Sequence, residues 1–195
     1  MTRIYLASRS PRRRELLAQL GVEFEIVDVE IDESWNGSEP ARCYVRRLAL
    51  EKARAGRVSI KEPLPVLAAD TEVELDGEIL GKPSDQADAI RMLRSLSGRT
   101  HSVYSAIALN TGESEQSAVT LSRVSFKPLS LSECEDYVAG GEPMDKAGAY
   151  AIQGRAAAFI TRLEGSYSGV MGLPLFETAM LLGSAITGNS GKAQT

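Results

Sequence analysis

The stretch "LASRSPRRRELL" (residues 6–17) places Arg12, Arg13 and Arg14 directly behind a serine and a proline. Ser10 is a good N-cap and Pro11 fits the first helical position. The arginines therefore fall in the first turn of a helix predicted over 11–20 and stopped by Gly21. That end of a helix already carries partial positive charge, and a cation there costs about 0.3–1 kcal/mol at exposed sites. At 100° per residue, Leu16, Leu17 and Leu20 form the apolar stripe, with Arg13 in its middle, Arg12 at its edge and Arg14 on the far side. A guanidinium cannot enter a core unpaired. Arg13 is expected to bend past the helix start toward the loop of Ser8 and Ser10. There, free N–H groups, hydroxyls and guanidiniums would converge on an anion. A solvated basic helix face is the plainer alternative. No GxxxxGK[ST] pattern occurs, so this is not a P-loop.

Three further places carry chemistry. On a helix predicted over 40–55, Lys52 shares the stripe of Val45, Leu48 and Ala49. It is either a lysine snorkelling from the core edge or an ammonium aimed at the same phosphate group as Arg13. In "VLAADTEVELDGEILGKP", Asp70 closes an apolar strand, and Asp76-Gly77 makes a two-residue hairpin turn. Val73, Leu75 and Leu80 are expected to face in, and Glu72 and Glu74 out. Simple pairing sets Lys82 opposite Thr71, one step from Asp70, although Gly81 and Pro83 disturb the ladder there. An acid among phosphate-binding cations can hold Mg²⁺ or take a proton from an attacking water; a surface Asp–Lys pair is the plainer alternative. Finally, small residues around Gln153 in "DKAGAYAIQG" let the backbone approach a flat ligand. A neutral amide offers both a donor and an acceptor, which suits a pyrimidine edge.

These residues need elements to carry them. The pattern predicts strands over 3–7, 24–29, 101–109, 118–126 and 157–163, with a hairpin after an apolar strand ending at Asp70. Ser84 is expected to cap a helix reaching 96, Ser132 a short helix to 138, and a last helix spans 174–182. Strands and helices mix without a clean βαβ repeat, which predicts an α/β protein with a mixed, twisted sheet flanked by helices. We find no internal repeat and no linker. One domain is expected over 4–185, followed by a polar tail over 186–195.

The 195 residues carry a net charge of −4, so the chain is not built globally for nucleic acid or an anionic membrane. Cys43 and Cys134 are isolated, which suits a reducing, cytoplasmic compartment and argues against a structural zinc site. With His101 the single histidine, a His-rich metal site is excluded, and a strand-start histidine reads as structural. Trp35 lies in a polar loop, as a lid or as a partial core residue. No apolar run is long enough to span a membrane.

Together, "LASRSPRRRELL", "AADT…GEILGKP", "LSGRTHSVYSAIAL", "DKAGAYAIQG" and "GSYSGVMGLPL" resemble the Maf family of nucleoside triphosphate pyrophosphatases. The resemblance implies a two-lobed α/β fold of the inosine-triphosphatase type, with the nucleotide in the cleft. It also implies hydrolysis between the α- and β-phosphates with a divalent cation, Mg²⁺ or Mn²⁺. By that resemblance Asp70 is the proton acceptor, and Ser8, Arg13, Lys52 and Lys82 handle phosphate. Glu33 matches an acidic position that helps Asp70 hold the metal. Arg12, Thr71 and Gln153 stand at positions that separate subgroups and resemble the branch cleaving dTTP and UTP, extending to modified pyrimidine nucleotides. A branch acting on 7-methyl-GTP carries a glutamate where Gln153 stands, as a cationic base would favour. The partners implied are the nucleotide and, at most, a second copy of the chain. A regulator of cell division that binds nucleotide without turnover is the alternative from another class.

Overall fold

The computed structural model describes residues 3–189. Seven strands form one mixed sheet in the order β2-β1-β3-β5-β6-β7, with β4 on β3. The strands are β1 (Arg3–Ala7), β2 (Glu23–Ile26), β3 (Val66–Leu75), β4 (Glu78–Leu80), β5 (Thr100–Asn110), β6 (Glu115–Phe126) and β7 (Ile160–Glu164). The helices are α1 (Pro11–Gln19), α2 (Ala41–Ser59), α3 (Gln86–Leu96), α4 (Leu131–Ala139), α5 (Tyr167–Met171) and α6 (Leu175–Asn189). β1 pairs in parallel with both β2 and β3, whereas β3–β4 and β6–β7 are antiparallel. The expected mixed α/β architecture is what forms.

The chain divides into two compact units, residues 1–70, 105–119 and 172–195 in the first and 71–104 and 120–171 in the second. In the first, α1 and α2 are the crossovers that parallel pairing requires. α1 buries Leu16 and Leu17, and α2 buries Tyr44, Val45, Leu48, Ala49 and Ala53. At Gly56 of α2 a Cβ would stand 2.8 Å from Val66 Cγ1 and 3.2 Å from Ala7 Cβ, so the helix approaches the sheet more closely than alanine allows. In the second unit, Val73, Leu75 and Leu80 join Leu93, Leu96, Val103, Val124, Tyr137 and Phe159 in one apolar cluster. The β3–β4 turn is Asp76-Gly77, both at positive φ (55° and 85°), as a two-residue hairpin demands.

Several boundaries differ from the sequence expectation. Asp85 rather than Ser84 caps α3, accepting from Asp88 N, because Ser84 instead turns its own amide onto Asp88. Ser130, not Ser132, caps α4 in a capping box with Glu133. The strand expected from 157 begins at Ile160, because Arg155–Phe159 winds into a 3-10 turn. α6 runs past residue 182 to Asn189, so four residues of the expected polar tail are helical. The rest of that tail lies outside the described residues. Glu72 and Glu74 are half-buried rather than exposed.

His101 is structural, as expected. It is 2% exposed, donates or accepts at Tyr150 Oη over 2.8 Å, and packs edge-on against Phe126 and Tyr150. Burial lowers its pKa from 6.5 to about 4. The unfolded chain therefore takes up this proton near pH 6.5 and the folded chain only near pH 4. The stabilising contribution is full above the higher value and is lost as pH falls between the two. Urea unfolding at pH 5 should show about 2 kcal/mol less stability than at pH 7. His101→Gln should flatten that slope; an unchanged slope would move its origin elsewhere.

Candidate active site

The arginine-rich helix start resolves by its side chains turning away from the helix N–H groups. Ser8, at the carboxyl end of β1, is buried, and its Oγ accepts from Ser10 N at 3.2 Å and from Arg13 Nη1 at 3.4 Å. Arg13 Nε donates to the Gly172 carbonyl over 2.9 Å, so the guanidinium curls back beside the loop as expected. Arg14 is exposed and donates to Arg9 O over 3.0 Å, while Arg9 pairs with Asp28. Arg12 is half-buried. Ser10 holds the N-cap position, but its side chain makes no capping hydrogen bond, and the first turn contains no acidic residue. The positive end of α1 is thus left without a negative side chain of its own.

Asp70 is placed by register. Ala7 of β1 pairs with Ala68 of β3, so Asp70 stands two residues beyond the last paired position, level with the loop that leaves β1. Its carboxylate is 5% exposed. Lys52 Nζ, from the middle of α2, donates to Asp70 Oδ1 over 2.6 Å and lies 2.9 Å from Glu33 Oε1. The lysine is not a snorkelling core-edge residue; its ammonium, for which the alternative was a phosphate shared with Arg13, lies between two carboxylates. Asp70 Oδ2 is buried and has no hydrogen-bond partner. A buried carboxylate oxygen left unpaired is costly, so Lys52 carries the compensation on one side and leaves an acceptor open on the other.

That donor set suits a hard divalent cation. Magnesium takes oxygen ligands, commonly one or two carboxylates with the remainder from water and substrate phosphates. Among the described residues no group of three or more His, Cys, Asp and Glu could hold a metal. The protein would therefore supply the Asp70 and Glu33 carboxylates and leave the other positions to the ligand. The open Asp70 Oδ2 is the observation that fits.

The second unit carries the other expected residues. Thr71 is half-buried, and Lys82 and Gln153 are exposed. β4 leaves β3 after the Val73–Leu80 pair, and the Gly81 carbonyl instead accepts from Gly148 N at 3.1 Å. This is the disturbance anticipated at Gly81. Gln153 sits in a turn closed by Gly154 N on Ala151 O at 3.0 Å. Tyr137 Oη accepts from Ala151 N at one end of that turn, and Glu142 Oε2 from Arg155 N at the other. These braces are not legible in the sequence, because Tyr137 and Glu142 lie fourteen and nine residues before Ala151 and read as ordinary helix and loop.

Residues 3–185 match the family model Maf, Maf-like protein. The chain belongs to the Maf-like protein family. It is 55% identical over 195 residues to the dTTP/UTP pyrophosphatase of Aromatoleum aromaticum, covering 93% of this chain and 95% of that protein. It is also 55% identical over 185 residues to the dTTP/UTP pyrophosphatase of Chromobacterium violaceum, covering 93% of each. A crystal structure of a nucleoside-triphosphatase, dITP/XTP pyrophosphatase, from Mycobacterium abscessus overlaps 66% of this chain and 76% of its own, with TM-score 0.44 and 23% identity.

The Lys52–Asp70 pair is buried on both sides, at 12% and 6% side-chain exposure. Removing one member of such a pair leaves an uncompensated charge. Lys52→Met should lower unfolding stability by about 3 kcal/mol in urea titrations. The double variant Lys52→Met/Asp70→Asn should lose clearly less than the sum of the single losses; additive losses would mean the two groups do not act as a pair.

Proposed function

We propose that this Maf-like protein hydrolyses dTTP and UTP, and modified pyrimidine nucleotides, to the monophosphate and pyrophosphate. It would thereby act as an acid-anhydride hydrolase in nucleotide-pool housekeeping. The observation that carries the reading is the buried Asp70 carboxylate, with one oxygen held by Lys52 and the other left open. Relatives more than half identical over nearly the whole chain, named dTTP/UTP pyrophosphatases, supply the substrate class. We take residues 4–185 as one functional domain acting in the cytoplasm. Its partners are the nucleotide and, at most, a second copy of the chain, with no nucleic acid and no membrane. Among the described residues no helix is long and apolar enough to cross a membrane.

The chemistry follows from the side chains. A nucleoside triphosphate carries about four negative charges, and preorganised cations stabilise the charge that develops on leaving pyrophosphate. Arg13, with Ser8 beside the open end of α1, binds phosphate, and Arg12 and Lys82 add positive charge toward it. Asp70 orients the attacking water and accepts its proton, while Lys52 fixes the plane of the carboxylate through Oδ1. A divalent cation, Mg²⁺ or Mn²⁺, held by Asp70 and Glu33 would neutralise phosphate charge and polarise the P–O bonds. Gln153 reads the pyrimidine edge with its paired donor and acceptor, and Thr71 supplies a hydroxyl toward the substrate.

Asp70→Asn should fold, because Lys52 keeps its ion pair with Glu33. It should still bind UTP but release pyrophosphate at least about 100-fold more slowly, the usual size of a general-base effect. Near-normal turnover would remove Asp70 from that role, and UTP binding by the unaltered chain without pyrophosphate release would favour the regulatory alternative. Gln153→Glu should shift preference from UTP toward 7-methyl-GTP in a panel of triphosphates, since a carboxylate favours a cationic base. An unshifted preference would reject the base-reading assignment.

A further inference from the structure

Glu33 belongs to an irregular segment between β2 and α2 that has no ladder or helix to hold it. Its carboxylate nevertheless meets Lys52 at 2.9 Å, so something else must fix the backbone there. Helix α2 supplies it. Tyr44, buried at 5% exposure, donates its hydroxyl to the Glu33 carbonyl at 2.5 Å. One turn on, Arg47 Nη2 donates to the Ser34 carbonyl at 3.2 Å. Arg47 is itself pinned, by Glu39 Oε2 at 3.0 Å, by Glu51 at 3.4 Å and by lying over the Tyr44 ring at 5.4 Å. The carbonyls on either side of the Ser34 Cα are thus both held by one face of α2. The same helix presents Lys52 two turns beyond Tyr44.

We propose that Tyr44 and Arg47 are positioning residues for the reaction. They hold the Glu33–Ser34 backbone so that the Glu33 carboxylate stands on Lys52 beside Asp70. The assignment rests on the function proposed above. The physical requirement is plain: a carboxylate on an unanchored loop spends its time in water, and a misplacement of about 1 Å at a reacting group can cost 100-fold in rate. Their hydrogen bonds reach the backbone of Glu33 and Ser34, so the route to Lys52 and Asp70 runs through the Glu33 side chain.

The chain has a single tryptophan, Trp35, and it lies in this same segment, donating Nε1 to Glu39 O over 2.8 Å. It reports on the clamp without any reference to catalysis. In Tyr44→Phe, and separately in Arg47→Met, acrylamide quenching of Trp35 fluorescence should rise about twofold while the thermal midpoint stays within a few degrees. In steady-state assays with UTP, kcat should fall about fivefold to twentyfold with KM changed less than about twofold, the split expected when a group acts mainly in the transition state. In a Glu33→Gln background, Tyr44→Phe should cause no further loss, since the residue through which it acts is already gone. Quenching unchanged in both variants, or a Tyr44→Phe loss of equal size with and without Glu33, overturns this assignment while leaving the proposed function intact. An unaltered chain that releases no pyrophosphate from UTP overturns the proposed function, and the positioning role falls with it.

Discussion

The Lys52 ammonium, placed between the carboxylates of Asp70 and Glu33, is the interaction around which the first unit's buried charge is arranged. Taking a carboxylate out of water costs several kcal/mol unless its charge is met at close range. Asp70 stands on a strand whose preceding residues, Val66 to Ala69, are all fully buried. There α2 delivers a cation to one of its oxygens. α2 can deliver it only because Val45, Leu48 and Ala49 seat the helix against the sheet, with Gly56 allowing a close approach. Packing and electrostatics are therefore one problem in this unit. The apolar stripe brings the helix near, and the nearness is what lets one lysine neutralise a buried acid.

The same logic accounts for the arginines at the start of α1. A cation over the positive end of a helix is unfavourable, and two of the three guanidiniums find an oxygen elsewhere. Arg13 finds the Gly172 carbonyl and the Ser8 hydroxyl, and Arg14 finds the Arg9 carbonyl. The oxygens named are a carbonyl, a hydroxyl and a second carbonyl, so these contacts satisfy the donors by geometry.

Much of this could be read from residue order because it depends on local rules. Periodicity along α1 put Arg13 on the apolar stripe and so required it to turn back, and it does. The Asp76-Gly77 turn, the inward set of Val73, Leu75 and Leu80, and the disturbance at Gly81 follow from alternation and turn chemistry. The differences are also local. Ser84 and Ser132 each lost a capping role to a neighbour, Asp85 and Ser130, because several adjacent residues can cap and only the packed helix selects among them. Alternation does not reveal the half-burial of Glu72, because it assigns faces without knowing what covers them.

Residue types and spacing alone determined the class of chemistry: cations at a helix start, an acid closing an apolar strand, and an amide in a glycine-flanked turn. They also determined the family, since the motifs extend over nearly the whole chain. Tertiary structure decided the pairing. Nothing in the order of residues says that Lys52 meets Asp70 and Glu33 rather than a phosphate, or that Tyr44 and Arg47 hold the Glu33 loop. Those contacts depend on where α2 lies against β3 and on a segment without regular structure, and positions 33, 52 and 70 share no local period. Local physics selects each element, but the distance between two charges on different elements is set only when the core between them is packed.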